Sequence, residues 1–147
     1  VLEKWLQPQL IVLTIQREVA QRIMAKPPHM NLLALSVRYY SEPEIIGYMS
    51  KNNFRPVPKV DSAIIRLNPK SEIRNPKQTE EIFKIMKIGF SEKRKQLAPI
   101  LSKKLKINKE KVLESFDKTG IGATVRAENL SLQQWESLAQ SLNMPKS

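Results

Sequence analysis

The chain has 147 residues, and its 25 lysines and arginines against 14 acidic residues give it a formal net charge of +11. Its 41% hydrophobic content is typical of a globular protein rather than a disordered one. The absence of cysteine excludes disulfides and thiolate-bound metals and fits a cytoplasmic protein. No apolar run approaches the ~20 residues of a transmembrane helix, so no membrane partner is expected.

Residues 1–70 alternate between strand and helix patterns. The continuous apolar run at 10–15 predicts a buried parallel strand. The other predicted elements are, in chain order, a helix at 17–25, a helix or strand at 31–40, and strands at 44–49 and 60–67. The leucine and alanine content of 31–40 favours the helix. This order predicts an α/β fold, although three strands and two helices make only part of a doubly wound sheet.

Residues 68–77 are polar and contain two prolines, which is typical of a linker. Asn75 and Pro76 form a helix-start pattern, with asparagine as the N-cap. Beyond them, amphipathic helices continue to the end of the chain, and Ser131 with Gln134 predicts a capping box. Pro99 requires its helix to begin near Lys95 or to kink. We therefore predict an α/β domain at 1–70 and an all-helical domain at 71–147.

One proline-rich segment stands out before the last predicted strand. It begins at Phe54, contains Pro56 and Pro58, and continues with Lys59 into the strand. Each proline fixes its own φ and pushes the preceding residue to extended geometry, so the segment is stiff. Two interpretations remain open on these grounds: a rigid rim that presents an aromatic ring to a flat ligand such as a nucleobase, or a loop whose phenylalanine is buried in the core.

The basic residues are also clustered. The range 84–111 holds ten lysines and arginines against Glu92 and Glu110. Such a cluster is an electrostatic footprint for RNA, and equally a solvated lysine-rich face. The candidate backbone-binding residues are Lys93, Arg94, Lys95, Lys103, Lys104 and Lys106.

Five segments together resemble the rRNA adenine N6,N6-dimethyltransferases. The first is Phe54-Arg55-Pro56-Val57-Pro58-Lys59-Val60-Asp61-Ser62, whose Asp-Ser-Ala continuation favours the small-subunit dimethyladenosine transferases. The others follow the family's order and lie at 15–23 (similar to Gln-Lys-Glu-Val-Ala), 37–40 (similar to Val-Gln-Tyr-Tyr), 89–95 and 126–131. Five ordered matches over most of the chain are far more specific than any one of them.

The resemblance implies the back half of a Rossmann-like methyltransferase sheet followed by a small helical rRNA-binding domain. The family's glycine-rich turn, its acidic residue after the second strand and its Asn-Leu-Pro-Tyr motif do not occur in this sequence. We therefore expect the C-terminal half or more of an enzyme that uses S-adenosylmethionine, with no cofactor bound to this chain and no activity in this chain alone. No metal is implied.

The resemblance also assigns roles to the residues of the proline-rich segment. Phe54 would stack on the target adenine, Pro56 and Pro58 would shape the substrate rim, and Lys59 would contact a phosphate or remain a solvated lysine. The implied partner is small-subunit rRNA in an immature small ribosomal subunit. An oligomeric state is not predicted, although an open sheet edge would be prone to association.

Two other functions compete with the enzyme. The first is a non-catalytic RNA-binding or ribosome-assembly module, which the basic cluster alone would support. The second is a DNA-binding helical domain, since the last helices could form a helix-turn-helix. The final predicted helix begins with Leu132, Gln133, Gln134 and Trp135 and offers no basic major-groove reader there, which argues against DNA.

Overall fold

The computed structural model describes residues 9–71, 75–92 and 94–142. The chain forms two compact units, one comprising Val1–Ala25 with Leu33–Glu72 and the other Lys26–Leu32 with Ile73–Ser147. Across the described ranges, no helix combines the length and apolar character needed to cross a membrane.

The first unit is built on a three-stranded sheet. Its strands are β1 (Ile11–Gln16), β2 (Ser41–Met49) and β3 (Ser62–Pro69), in the order β1-β3-β2. β3 is antiparallel to both neighbours, with Ile65 opposite Leu13 on one side and opposite Ile45 on the other. A bulge between Ile45 and Gly47 shifts the register of β2.

The prediction of a buried parallel strand at 10–15 is wrong. β1 pairs antiparallel to β3, and Val12 and Leu13 are 50% and 45% exposed. A run of apolar residues does not show whether a strand pairs parallel or antiparallel to its neighbour. It also does not show which face of the strand is buried. The α/β character is confirmed in a coarser form, as a small antiparallel sheet with helices.

Helix α1 (Arg17–Ile23) directly follows β1 and packs on the strands, burying Ala20 and Ile23. Helix α2 (Leu32–Tyr40) runs into β2 without a loop, and the Ser41 hydroxyl donates to the Val37 carbonyl at 2.9 Å. Both helices and the strands β2 and β3 therefore lie close to their predicted positions. The central strand supplies the buried residues Ala63 and Ile65.

The second unit contains four longer helices: α3 (Pro76–Phe90), α4 (Leu97–Leu105), α5 (Lys109–Lys118) and α6 (Leu132–Leu142). As predicted, Asn75 caps α3 by accepting a hydrogen bond from the Lys77 backbone N–H at 2.9 Å. The predicted capping box at α6 is confirmed, since the Ser131 hydroxyl accepts from Gln134 N and the Gln134 side chain accepts from Ser131 N. Pro99 lies in the first turn of α4, where no intrahelical donor is lost and no kink is required.

The core of the helical unit surrounds Trp135 of α6, which is fully buried. Gly89 of α3 lets this ring approach closely. A Cβ at position 89 would lie 2.7 Å from Trp135 and 2.8 Å from Leu97. α5 ends in a turn at Gly120, whose φ of +72° favours glycine.

Segment 26–32 is tied to the helical unit by two hydrogen bonds. The Met30 backbone N–H donates to the Glu128 carbonyl at 2.9 Å, and the Asn129 side-chain amide donates to the Pro28 carbonyl at 3.3 Å. Met30 is buried. The helical unit is thus assembled from two separate parts of the chain.

We expect Gly89→Ala to destabilise the protein by about 1–3 kcal/mol, because overpacking against a buried indole exceeds the gain in helix propensity. Gly122→Ala is the matched control, since its nearest neighbour, Val125, would lie at an ordinary 3.7 Å. Urea unfolding of both variants measures the difference. Equal stability of the two variants would contradict close packing at Gly89.

Candidate nucleic-acid interface

Phe54 is the residue after a short 3-10 turn, Lys51–Asn53, which follows β2. Ser50 fixes this turn, because its hydroxyl accepts from Asn52 N at 3.2 Å and its carbonyl accepts from Asn53 N at 3.0 Å. The Phe54 backbone N–H donates to the Lys51 carbonyl at 3.3 Å. Phe54 is half-buried. Its exposure is therefore intermediate between the two interpretations of the sequence, a ring presented to a ligand and a ring buried in the core.

Asp61 closes the loop that contains Phe54. Its Oδ1 accepts from the Lys51 backbone N–H at 2.8 Å, and its carbonyl accepts from the Arg17 backbone N–H at 3.0 Å. These two bonds join the start of the loop, its end and the start of α1. Asp61 therefore holds a turn rather than presenting a carboxylate for chemistry.

The remaining loop residues all face solvent. Val57 is 53% exposed and Val60 is 40% exposed. The structure brings Pro56, Pro58 and Lys59 together with Phe54 in this one loop, as predicted, and all three are exposed. The binding roles of these four residues remain predictions.

Tyr48 and Arg17 form a contact that the sequence did not predict. Tyr48 of β2 is 55% exposed, and the Arg17 guanidinium lies 5.1 Å from the centroid of its ring. The two residues are 31 positions apart, and only the register of the sheet brings them together. Strand alternation alone marks Tyr48 as an ordinary strand residue, so no sequence signal could have identified the pair.

In the helical unit, predicted cationic residues surround Glu92. Lys95 Nζ lies 2.9 Å from Glu92 Oε1. The hydrogen bond and charge of Lys95 lower the pKa of Glu92, and the charges of Lys104 and Lys103 lower it further. Three members of the predicted cluster are thus grouped about one carboxylate.

The other members of the basic cluster are placed less tightly. Arg94 is exposed next to Lys95, and Lys106 is exposed at the left-handed C-cap of α4, with φ of 56°. Lys93 lies outside the described residues. The segment before α4 is itself fixed, because Leu97 N donates to the Val125 carbonyl at 2.8 Å.

No group of three or more histidine, cysteine, aspartate or glutamate residues suited to a metal ion occurs in the part of the chain that the structure describes. Tyr39 and Trp135 are core residues.

The family model described as ribosomal RNA adenine dimethylase matches residues 1–144. The chain belongs to the ribosomal RNA adenine dimethylase family. Curated relatives within the family agree: the chain is 36% identical over 138 residues to the ribosomal RNA small subunit methyltransferase A of Dehalococcoides mccartyi. It is 42% identical over 137 residues to the protein of the same name from Nostoc punctiforme.

These matches cover 93% and 90% of the chain but only 47% and 46% of the relatives. The chain therefore spans about half the length of the curated relatives that it matches.

Two solved structures share the fold of this chain. A dimethyladenosine transferase from Plasmodium falciparum matches with a TM-score of 0.81 and 24% identity, over 97% of this chain and 60% of that one. The 23S rRNA methyltransferase ErmE matches with a TM-score of 0.70 and 23% identity, over 92% and 55%. The resemblance found in the sequence is thus confirmed at the level of family and fold.

The charge environment of Glu92 predicts a measurable titration. NMR detection of its carboxyl carbon should give a pKa below the ordinary value of a glutamate, and Lys95→Gln should raise that pKa by removing the hydrogen bond. Because the folded pKa is the lower one, ionised Glu92 stabilises the fold above its unfolded pKa, and this contribution is lost as the pH falls through the folded pKa. Lys77→Gln, an exposed charge change in α3, should leave the titration unaltered. An unchanged midpoint in Lys95→Gln would refute the arrangement.

Proposed function

We propose that the chain is the C-terminal part of an S-adenosylmethionine-dependent methyltransferase that dimethylates N6 of adjacent adenines in small-subunit rRNA during ribosome maturation. Family membership and the names of the curated relatives support the reaction class. The observation that carries the assignment of substrate is the half-exposed Phe54, held at the base of a loop closed by Asp61. A cytoplasmic location follows from this substrate.

The described residues do not fit the cofactor. Gly47 lies within β2, Gly89 within α3, and Gly120 and Gly122 follow α5, so none of them forms a glycine-rich turn after a strand. No step is therefore derived through S-adenosylmethionine, which would supply the methyl group in the longer enzyme. We propose that other parts of that enzyme hold the cofactor and that this chain alone is inactive.

The role proposed for Phe54 is to hold the target adenine outside the RNA stack. An exocyclic amine can accept a methyl group only when its base is unpaired and accessible. Stacking on an aromatic ring contributes about 1–3 kcal/mol per base and tolerates any base type. Pro56 and Pro58 limit the loop to few conformations, and the role that we propose for exposed Lys59 is a contact with a neighbouring phosphate.

The helical domain, proposed at 71–147, would position the enzyme on rRNA. Lys95, Lys103 and Lys104 are grouped about Glu92, with Arg94 and Lys106 exposed nearby in sequence. Contacts from such residues to phosphates fix register without reading bases. Lys93 belongs to the same proposed surface on sequence grounds.

In the full-length enzyme, Phe54→Ala should lower methyl transfer to undermethylated small subunits by about 5- to 150-fold, because a stacked base contributes about 1–3 kcal/mol. Cofactor affinity, measured by titration calorimetry, should remain unchanged. Val57→Ala in the same loop is the matched control, and the isolated 147-residue chain serves as the inactive reference. Undiminished turnover in Phe54→Ala would remove the ring from the adenine site.

The second candidate function is a non-catalytic RNA-binding module, which the basic cluster favours by itself. Under this alternative, RNA binding would survive in the isolated chain, and no methyl transfer would accompany it even in the longer protein. The methyl-transfer assay on the full-length enzyme therefore separates the two functions.

Binding of small-subunit RNA by this chain should weaken steeply with salt. Replacing Lys103 and Lys104 by glutamine should reduce the slope of log affinity against log salt by about one to two, as expected when two phosphate contacts are lost. The control is Lys77→Gln with Lys118→Gln, which removes the same charge from exposed positions of the same unit. Equal slopes for the two double variants would identify the cluster as a solvated face.

A further inference from the structure

The exposed ring of Tyr48 lies at the same end of the sheet as the Phe54 loop. Ser62 of β3 pairs with Gln16 on one side and with Met49 on the other. The residue after Gln16 is Arg17, and the residue before Met49 is Tyr48. Tyr48 therefore pairs with Ala63 of β3, two residues after Asp61, while the Arg17 backbone N–H donates to the carbonyl of Asp61, the residue that closes the loop.

The Tyr48 ring is held by regular structure rather than by a flexible loop. Its strand pairs with β3 at Ala63, which is fully buried. Arg17 is fixed through its backbone, because its N–H donates to the Asp61 carbonyl at 3.0 Å. The guanidinium at 5.1 Å from the ring centroid completes a cation–π pair that remains open to solvent on the rest of the ring.

An exposed aromatic ring beside a guanidinium plane has the chemistry of a base-stacking platform. Unpaired bases stack on both kinds of surface, and the charge of the arginine attracts the adjoining phosphate. Further cations lie along the same loop, where Lys51, Arg55 and Lys59 are all exposed. The only carboxylate in that loop, that of Asp61, accepts the Lys51 backbone N–H.

We propose that Tyr48 and Arg17 form a second base-stacking site, which holds an unpaired nucleotide of single-stranded RNA beside the nucleotide at Phe54. This proposal rests on the proposed function for the identity of the ligand as RNA. It goes beyond that function because it assigns substrate binding to two residues outside the proline-rich segment. The enzyme would then bind two neighbouring unpaired bases by stacking rather than one.

The test uses the full 147-residue chain and a single-stranded adenine-rich RNA oligonucleotide that carries 2-aminopurine at successive positions. We expect Tyr48→Ala to lower affinity by about tenfold, the size of one lost stack, and to abolish the quenching of one 2-aminopurine. Tyr48→Phe should bind like the parent protein, whereas Tyr48→Leu, which keeps the apolar bulk, should behave like Tyr48→Ala. The salt slope should be unchanged in all three variants.

Arg17 is tested by charge and by shape. Arg17→Ala should lower affinity and reduce the salt slope by about 0.7, the value for one phosphate of a single strand. Arg17→Lys should have the salt slope of the parent protein, because it keeps the positive charge. It should not recover the full quenching, because it lacks the guanidinium plane. The matched control is Val12→Ala, since Val12 lies on another strand of the same sheet and is 50% exposed.

The results of these experiments distinguish a failure of the Tyr48–Arg17 site from a failure of the proposed function. If Tyr48→Leu binds and quenches like the parent protein while Phe54→Ala does not, the second site is refuted and the role of Phe54 stands. If a thermal melt shows that Tyr48→Ala is destabilised but affinity and quenching are retained, the pair is structural only and the proposal is overturned. If the parent chain does not bind single-stranded RNA at low salt, both the second site and the proposed RNA contacts of this unit fail.

Discussion

Asp61 is the residue on which the arrangement of the first unit depends. It uses one side-chain oxygen and one backbone carbonyl to connect the loop start at Lys51 with the start of α1 at Arg17. Because the residue is followed at once by β3, the position of the loop is set by the central strand of the sheet. The Phe54 loop and Arg17 are thereby held together, while Tyr48 is held by the pairing of β2 with β3 and contacts the Arg17 guanidinium. A single acidic residue thus organises a surface whose other charged members are cationic.

Glu92 has a comparable place in the helical unit. A cluster of lysines on one surface repels itself, and an ionised carboxylate among them reduces that repulsion. The lowered pKa of Glu92 results from this arrangement. The same carboxylate also lowers the local positive potential that would attract RNA. The surface therefore balances the stability of the fold against the strength of attraction for phosphate.

The sequence predicted features that depend on local patterns. The N-cap at Asn75 and the capping box at Ser131 both follow from spacing along one helix, and both are confirmed. Strand β1 was misjudged because its direction and its exposure depend on pairing with a segment some 50 residues away. For the same reason, the sequence identified Phe54 by motif but missed Tyr48, whose neighbour Arg17 is supplied by the sheet register. The close approach of Trp135 and Leu97 to Gly89 likewise depends on packing. A glycine in a helical sequence does not by itself show which side chains will contact it.

The division of the helical unit between two parts of the chain has a consequence for synthesis on the ribosome. The sheet can be completed as soon as β3 has emerged, because all three strands lie before residue 70. Segment 26–32 leaves the ribosome well before its partners Glu128 and Asn129, which lie almost 100 residues further along the chain. Met30, which is buried in the folded protein, cannot make its contact with Glu128 while that intervening stretch is being synthesised. The helical unit is therefore completed only after residue 129 has been synthesised, well after the sheet.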